Sequence, residues 1–244
     1  MKKIMLKGGL GNQMFQYAFI KSISKYKKES FILDLRYLND RSKRRGSFVF
    51  RNYDLDIFML KANIINTSFT KYYIYFELIL QKLILNIPIL SQVFNTYIES
   101  GYRFDDSKKI YDYKKYVGYF QSYKYFEELK TEIKKDFTLK NTISKHSKEL
   151  KKQIISCESV CLNVRRADYI NDKSLGLKGV EYYENSVEFL SKKILIEKIY
   201  VFSDDIEWCE KNLSFPIKTI FVSHYYKGKK FQEYFELMKS CKHF

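Results

Sequence analysis

Val160-Cys161-Leu162-Asn163-Val164-Arg165-Arg166-Ala167-Asp168-Tyr169 is the stretch on which the fold turns. A run of apolar and β-branched residues bounded by polar ones reads as a buried strand of a parallel sheet, over 159–164. In open parallel sheets, ligands bind just beyond the carboxyl ends of the strands, where Arg165 and Arg166 emerge. Adjacent guanidiniums suit a phosphate or a carboxylate, because each presents a planar fork of donors. A solvated basic turn is the other reading of an isolated Arg-Arg pair.

The same grammar recurs downstream. Ile199-Tyr200-Val201-Phe202-Ser203 predicts a strand, Asp204 and Asp205 follow it, and a helix is expected over 205–211. Those aspartates either cap that helix or accept hydrogen bonds from a ligand's amino, imino or hydroxyl groups. Helices over 180–193 and 229–240 and a strand over 218–222 complete an alternation that implies parallel βαβ units, an α/β fold.

Upstream, Ile4-Met5-Leu6 reads as a short strand and Gly8-Gly9-Leu10-Gly11-Asn12 as a turn. The helix after it carries Met14, Tyr17, Ala18, Ile20 and Ile23 at helical spacing. Three glycines in four residues let backbone N–H groups approach an anion at a helix N-terminus. The dinucleotide fingerprint is not met, since Met14 stands where a small residue is needed. No Gly-Lys-Ser/Thr follows to make a phosphate loop. Further strands are expected over 30–34 and 117–120, a basic loop over 40–51 that includes Arg41-Ser42-Lys43-Arg44-Arg45-Gly46, and an exposed helix over 125–135. The expected organisation is a lobe over 1–140, a linker over 141–152 and a second lobe over 153–244.

Taken together, these stretches resemble the family 11 glycosyltransferases, the α-1,2-fucosyltransferases. Gly8-Gly9-Leu10-Gly11-Asn12-Gln13-Met14-Phe15-Gln16-Tyr17-Ala18 looks like their N-terminal signature. Asn163 to Tyr169 looks like their His-x-Arg-Arg-x-Asp-Tyr block, with Asn163 in place of the histidine. Phe202 to Trp208, Gly118 to Phe126, and Leu237 to His243 match further blocks in the expected order. The resemblance runs from residue 3 to the end.

It implies a GT-B-like, two-lobed nucleotide-sugar transferase with GDP-fucose held mainly by the second lobe and no metal or other cofactor. It also implies transfer of L-fucose, with inversion, to the 2-hydroxyl of a galactoside. The acceptor would be a galactose-terminated oligosaccharide or a lipid-linked glycan. Arg165 is the expected catalytic residue, stabilising the departing phosphate. Arg166 would bond the pyrophosphate or brace the loop through Asp168. Gly9, Gly11 and Asn12 would border the donor site, Asn163 would contact the donor, and Asp204 or Asp205 would recognise guanine. The base that takes the acceptor's proton stays open among Asp34 and the carboxylates of 99–106. The family pattern continues past Cys241-Lys242-His243 with a strand and a serine-rich turn. The sequence stops at Phe244, so a shortened, inactive or partner-completed relative is the alternative expectation.

Composition narrows the field less. Hydrophobic content of 45% and aromatic content of 18% exclude wholesale disorder. Forty-four Lys and Arg against 28 Asp and Glu give a net charge of +16. That fits nucleic acid, anionic lipid or an anionic substrate. The lysines are scattered and form no recognised reading module, so nucleic acid is the distant alternative. Two catalytic carboxylates for glycoside hydrolysis are not fixed by any motif. The four cysteines, Cys157, Cys161, Cys209 and Cys241, lack paired spacing, which argues against zinc or a disulfide framework. A cytoplasmic protein without a secretory leader is expected, with contact at the inner face of the membrane as the minor reading. That contact would use Tyr72 to Leu90, which is too polar to span. It reads as an amphipathic helix with Phe76, Leu80, Leu83 and Ile84 in the core. Of the histidines, His146 is expected in solvent, His224 in a loop and His243 in a structural role.

Overall fold

The computed structural model describes residues 1–42, 49–67, 71–101, 103–167, 169–170 and 176–244. Asp168 and residues 43–48 of the basic loop lie outside the described residues. The chain divides into two compact units, Met1–Lys140 and Asn141–Phe244, each built on its own parallel sheet. The α/β class with parallel strands therefore holds.

The first unit runs β1 (Lys2–Met5), α1 (Leu10–Tyr26), β2 (Phe31–Asp34), the single turn α2 (Arg36–Asn39) and β3 (Asn63–Ile65). It continues with α3 (Lys71–Asn86), α4 (Ile89–Val93), β4 (Thr96–Ile98), β5 (Lys115–Val117) and α5 (Lys130–Asp136). All sheet pairs are parallel, in the order β3-β2-β1-β5-β4. The chain winds outward from β1 to β3, then crosses back to lay β4 and β5 on the other side. Winding therefore reverses between β1 and β5. Loops after two such strands diverge and leave a crevice at their carboxyl ends. Ile4 and Leu33 are fully buried, as a sheet covered on both faces requires. Phe19 of α1 stacks flat on Phe120, with ring centroids 3.7 Å apart, and meets Tyr116 and Tyr125 edge-on.

Three expectations for this unit need correction. The strand expected over 117–120 ends at Val117, because the N–H groups of Tyr119 and Phe120 donate to the Glu99 carboxylate instead of a neighbouring strand. Phe120 also has a positive φ of 52°. The helix over 125–135 shortens to α5, with two 3-10 turns before it. In α3, Leu80 and Ile84 are core but Phe76 and Leu83 are exposed. The buried face is the one carrying Ile74, Glu77, Leu80 and Ile84. Glu77 is drawn inward by an ion pair with Lys115 and a 2.7 Å hydrogen bond from the Tyr73 hydroxyl.

The second unit runs α6 (Lys145–Ile155), β6 (Ser159–Val164), α7 (Val180–Ser191), β7 (Lys198–Ser203), α8 (Ile206–Asn212), β8 (Thr219–Phe221) and α9 (Gln232–Lys239). The sheet order is β6-β7-β8, all parallel. Alternating residues go to opposite faces. Val160, Val164, Ile199 and Val201 pack with Tyr183 and Val187 of α7 and Cys209 of α8. Cys161, Tyr200 and Phe202 pack with Leu150 and Ile154 of α6 and Leu237 of α9. Two covered faces explain why β6 and β7 read as continuous apolar runs.

The expected linker, 141–152, is instead mostly helix α6. Ser144 caps it, accepting the Ser147 N–H, and its own hydroxyl donates to Glu233 at 2.6 Å. Lys145, Lys148 and Lys152 face solvent and Lys151 pairs with Glu236 of α9, while Leu150 and Ile154 supply a core stripe that a composition-based reading hides. His243 pairs beside Val160, accepting the Cys161 N–H at 2.8 Å and donating its own N–H to Ser159 at 3.1 Å.

Candidate functional site

In the second unit, β6 and β7 end in register, with Asn163 opposite Phe202 and Val164 opposite Ser203. Arg165-Arg166 and Asp204-Asp205 therefore leave the sheet at the same level. Asp204 accepts the backbone N–H groups of Arg166 at 2.8 Å and Ala167 at 3.2 Å with one oxygen. Its other oxygen is shielded from solvent and lies 2.9 Å from the Arg165 guanidinium. Asp205 caps α8 by accepting the Trp208 N–H at 3.3 Å, and its second oxygen meets Arg166 Nε at 3.3 Å. The Asp205 N–H donates to Ser203 Oγ at 2.9 Å, and His224 Nε2 lies 3.0 Å from the Ser203 carbonyl oxygen.

These contacts separate the two arginines. The Arg166 guanidinium carbon stands 3.6 Å over the Trp208 ring centre, and its side chain is 13% exposed. A cation over an indole contributes about 0.5–2 kcal/mol, so Arg166 braces the loop, through Asp205 and Trp208. Arg165 is 44% exposed, and its guanidinium is held in place by Asp204. A cation positioned before any anion arrives loses little on reorganising to meet one. Asn163 is exposed at the end of β6. The role of Trp208 escaped the sequence reading, although an aromatic on the first turn after Asp-Asp was its available signal.

In the first unit, the glycine turn lies at the carboxyl end of β1, beside the winding reversal. Gly8 has a φ of +80°, and a Cβ there would come within 2.3 Å of the Asn12 amide. Gly9 caps α1 and Gly11 lies in its first turn; a Cβ at either meets nothing within 4 Å. Both positions are open to whatever approaches the free N–H groups of a 17-residue helix. Asn12 Oδ1 accepts from Gln121 Nε2 at 2.6 Å, which ties the loop after β1 to the loop after β5. Lys7 stands 4.5 Å over the Tyr119 ring. Burial lowers its pKa, with Glu99 opposing.

Two buried glutamines hold this turn. Gln13 donates to the carbonyls of Gly8 and Asn52, at 2.9 and 2.8 Å, and accepts the Asp54 N–H at 2.9 Å. Gln16 bonds both the N–H and the carbonyl of Lys7, at 3.1 and 3.0 Å. The sequence reading gave neither a role, although polar amides on the apolar face of α1 were the sign.

The open candidates for a base are mostly committed to structure. Asp34 is 1% exposed and gripped by the Arg36 fork at 2.8 and 2.5 Å. Glu99 accepts the N–H groups of Tyr119 and Phe120 at 2.6 and 3.0 Å. Burial raises the Asp105 pKa, but hydrogen bonds from Tyr97 and Ser107 outweigh it and hold the carboxyl below its usual value. Asp106 is exposed. Among the described residues, no group of three His, Cys, Asp or Glu side chains could hold a metal ion.

The glycosyl transferase family 11 model matches residues 1–244. An alpha-1,2-colitosyltransferase of Escherichia coli is 35% identical over 84% of this chain and 69% of its own. The O-antigen biosynthesis glycosyltransferase WbnK, also of Escherichia coli, is 28% identical over 86% of this chain and 74% of its own. Galactoside alpha-(1,2)-fucosyltransferase 2 of Sus scrofa is 25% identical over 64% of this chain and 48% of its own.

Proposed function

The chain belongs to glycosyl transferase family 11, and we propose that it moves L-fucose from GDP-fucose to the 2-hydroxyl of a galactoside, inverting the anomeric carbon. The observation that carries this reading is the exposed Arg165 guanidinium, fixed by Asp204 at the carboxyl end of a buried parallel strand. In the reaction, the bond between the fucose anomeric carbon and the β-phosphate oxygen breaks. Its electron pair leaves with GDP. The acceptor oxygen bonds from the opposite face and loses its proton to a base. Negative charge grows on the diphosphate as that bond stretches, so a preset cation binds the transition state more tightly than the ground state.

Guanine presents adjacent N1–H and amino donors that suit a carboxylate. Asp205, about a third exposed and held only by two long contacts of 3.3 Å, fits this role better than the more buried Asp204. Asn163 offers the donor an amide, and Gly9, Gly11 and Asn12 offer backbone and side chain at an unobstructed helix start. With the Arg165 guanidinium set against the diphosphate charge, the proposed reaction needs no metal. The acceptor is a galactose-terminated oligosaccharide or a lipid-linked glycan.

A second donor is favoured by one observation, the 35% identity to a colitosyltransferase. Colitose is fucose without its 3-hydroxyl, so a single hydrogen-bonding group separates the two donors. The purified chain, given a galactoside and either GDP-fucose or GDP-colitose, tests both. GDP release from GDP-fucose with an α-1,2 product by NMR is expected. Consumption of GDP-colitose alone selects the second donor, and GDP release from neither overturns the reading.

A further inference from the structure

The solvent face of α3 takes no part in the chemistry above. Along it Tyr75 and its neighbour Phe76 are followed at three- and four-residue steps by Ile79, Leu83 and, just past the helix end, Ile87, each two-fifths exposed or more. The stripe is continuous, since the Ile87 N–H donates to the Leu83 carbonyl at 2.8 Å. Helix α4 adds Ile89 and Val93, the latter 69% exposed. Such a stripe exposes on the order of several hundred Å² of apolar surface, as large as the largest patch on most monomeric proteins. The opposite face of α3 is already satisfied, with Ile74, Leu80 and Ile84 buried and Glu77 paired to Lys115 of β5.

Charge then selects the occupant. Residues 71–94 contain one acidic residue, Glu77, and it is buried. Lys82 stands on the exposed side. At the far end of α4, Lys109 borders the same cavity as Gln92 and Asn95, and the Lys114 N–H bonds the Asn95 carbonyl at 3.2 Å. The acid nearby, Asp112, is paired with Lys27 at 2.9 Å. An apolar stripe with basic edges and a chain carrying +16 matches an anionic surface. A second copy docked through the same stripe would set like charges against each other, because a two-fold interface meets its own patch.

We propose that α3 and α4 dock on an anionic lipid bilayer, with the stripe from Tyr75 to Val93 in the headgroup–acyl boundary. Among the described residues, no helix is long and apolar enough to cross a membrane, so the contact is one of lying on the surface. The proposal does not depend on which sugar is transferred.

Flotation with phosphatidylcholine vesicles, pure or mixed equally with phosphatidylglycerol, tests it on the full chain. The protein floats with the mixed vesicles, less so in high salt, and stays behind with pure phosphatidylcholine. The double variant Phe76→Gln/Leu83→Gln alters only exposed side chains, so its melting temperature holds. Its affinity for mixed vesicles drops roughly tenfold or more, as expected from withdrawing two large apolar groups from lipid. Lys82→Glu weakens binding by a smaller factor. Failure of the unaltered chain to float overturns the proposal, and so does undiminished flotation of the double variant. A concentration-dependent dimer that the double variant abolishes, without vesicle binding, assigns the stripe to a second copy and overturns it too.

Discussion

Arg165 and Arg166 are adjacent in sequence and opposite in employment. Arg166 spends its guanidinium on Trp208 and Asp205, whereas Arg165 keeps a large exposed surface and takes its position from Asp204. Under the proposed function Asp204 is therefore a positioning residue. Asp204→Asn keeps an acceptor for the Arg166 and Ala167 N–H groups but removes the charge that holds Arg165. The expected outcome is a drop in kcat of roughly tenfold, with melting temperature little changed; a variant with full kcat denies Asp204 that role. The glycine turn yields a cleaner test. Gly9→Ala and Gly11→Ala place a methyl in open space. Gly11→Ala should even favour the helix, by up to about 1 kcal/mol. Turnover falling in variants that melt as high as the parent marks a ligand close to that backbone, and full turnover removes the turn from the site. The arginines and aspartates were legible because strand, charge and helix start are contiguous in sequence. What Arg166 braces against was not, because the deciding indole is set by a helix some forty residues away.

At the scale of elements, period-two alternation along β6 and β7 fed two separate cores, and those strands were read almost to the residue. Helix α3 was misread by face because its composition is apolar nearly all round, leaving the pairing of Glu77 with Lys115 to choose. Helix α6 was hidden in a lysine-rich stretch, and its anchor is the link between Ser144 and Glu233. Burial pushes the Glu233 pKa up, but hydrogen bonding from Ser144, with the neighbouring serine and histidine of the same turn, outweighs it and leaves it below the usual value. A lowered carboxylate pKa adds stability that is present above the unfolded value, about 4.3. That stability is lost as pH falls through the folded value. Melting followed from neutral to acid pH should show a steep loss below about pH 4, shallower in Glu233→Gln. Ser144→Ala should cost about 1 kcal/mol at neutral pH through its cap alone. Equal acid slopes for the parent and Glu233→Gln would remove Glu233 from the explanation.

For the whole molecule, the positive charge belongs to both halves of the functional reading, the anionic donor and the anionic surface. In the proposed reaction the Arg165 guanidinium does for the diphosphate what a divalent cation does elsewhere. Turnover should therefore persist in excess EDTA, and activity that EDTA abolishes and magnesium or manganese restores contradicts that division of labour. Two parallel α/β units were legible from strand and helix alternation. The exposed stripe on α3 was not, because burial is decided by neighbours that lie far off in sequence.

The most direct measurement is the steady-state kcat of Arg165→Ala with GDP-fucose and a galactoside, beside Arg165→Lys and the parent chain. Loss of a preset cation at the departing diphosphate should lower kcat by about 10²–10³ in the alanine variant, with partial recovery in the lysine variant. The melting temperature should stay unchanged. Parental turnover in Arg165→Ala would contradict the assignment outright.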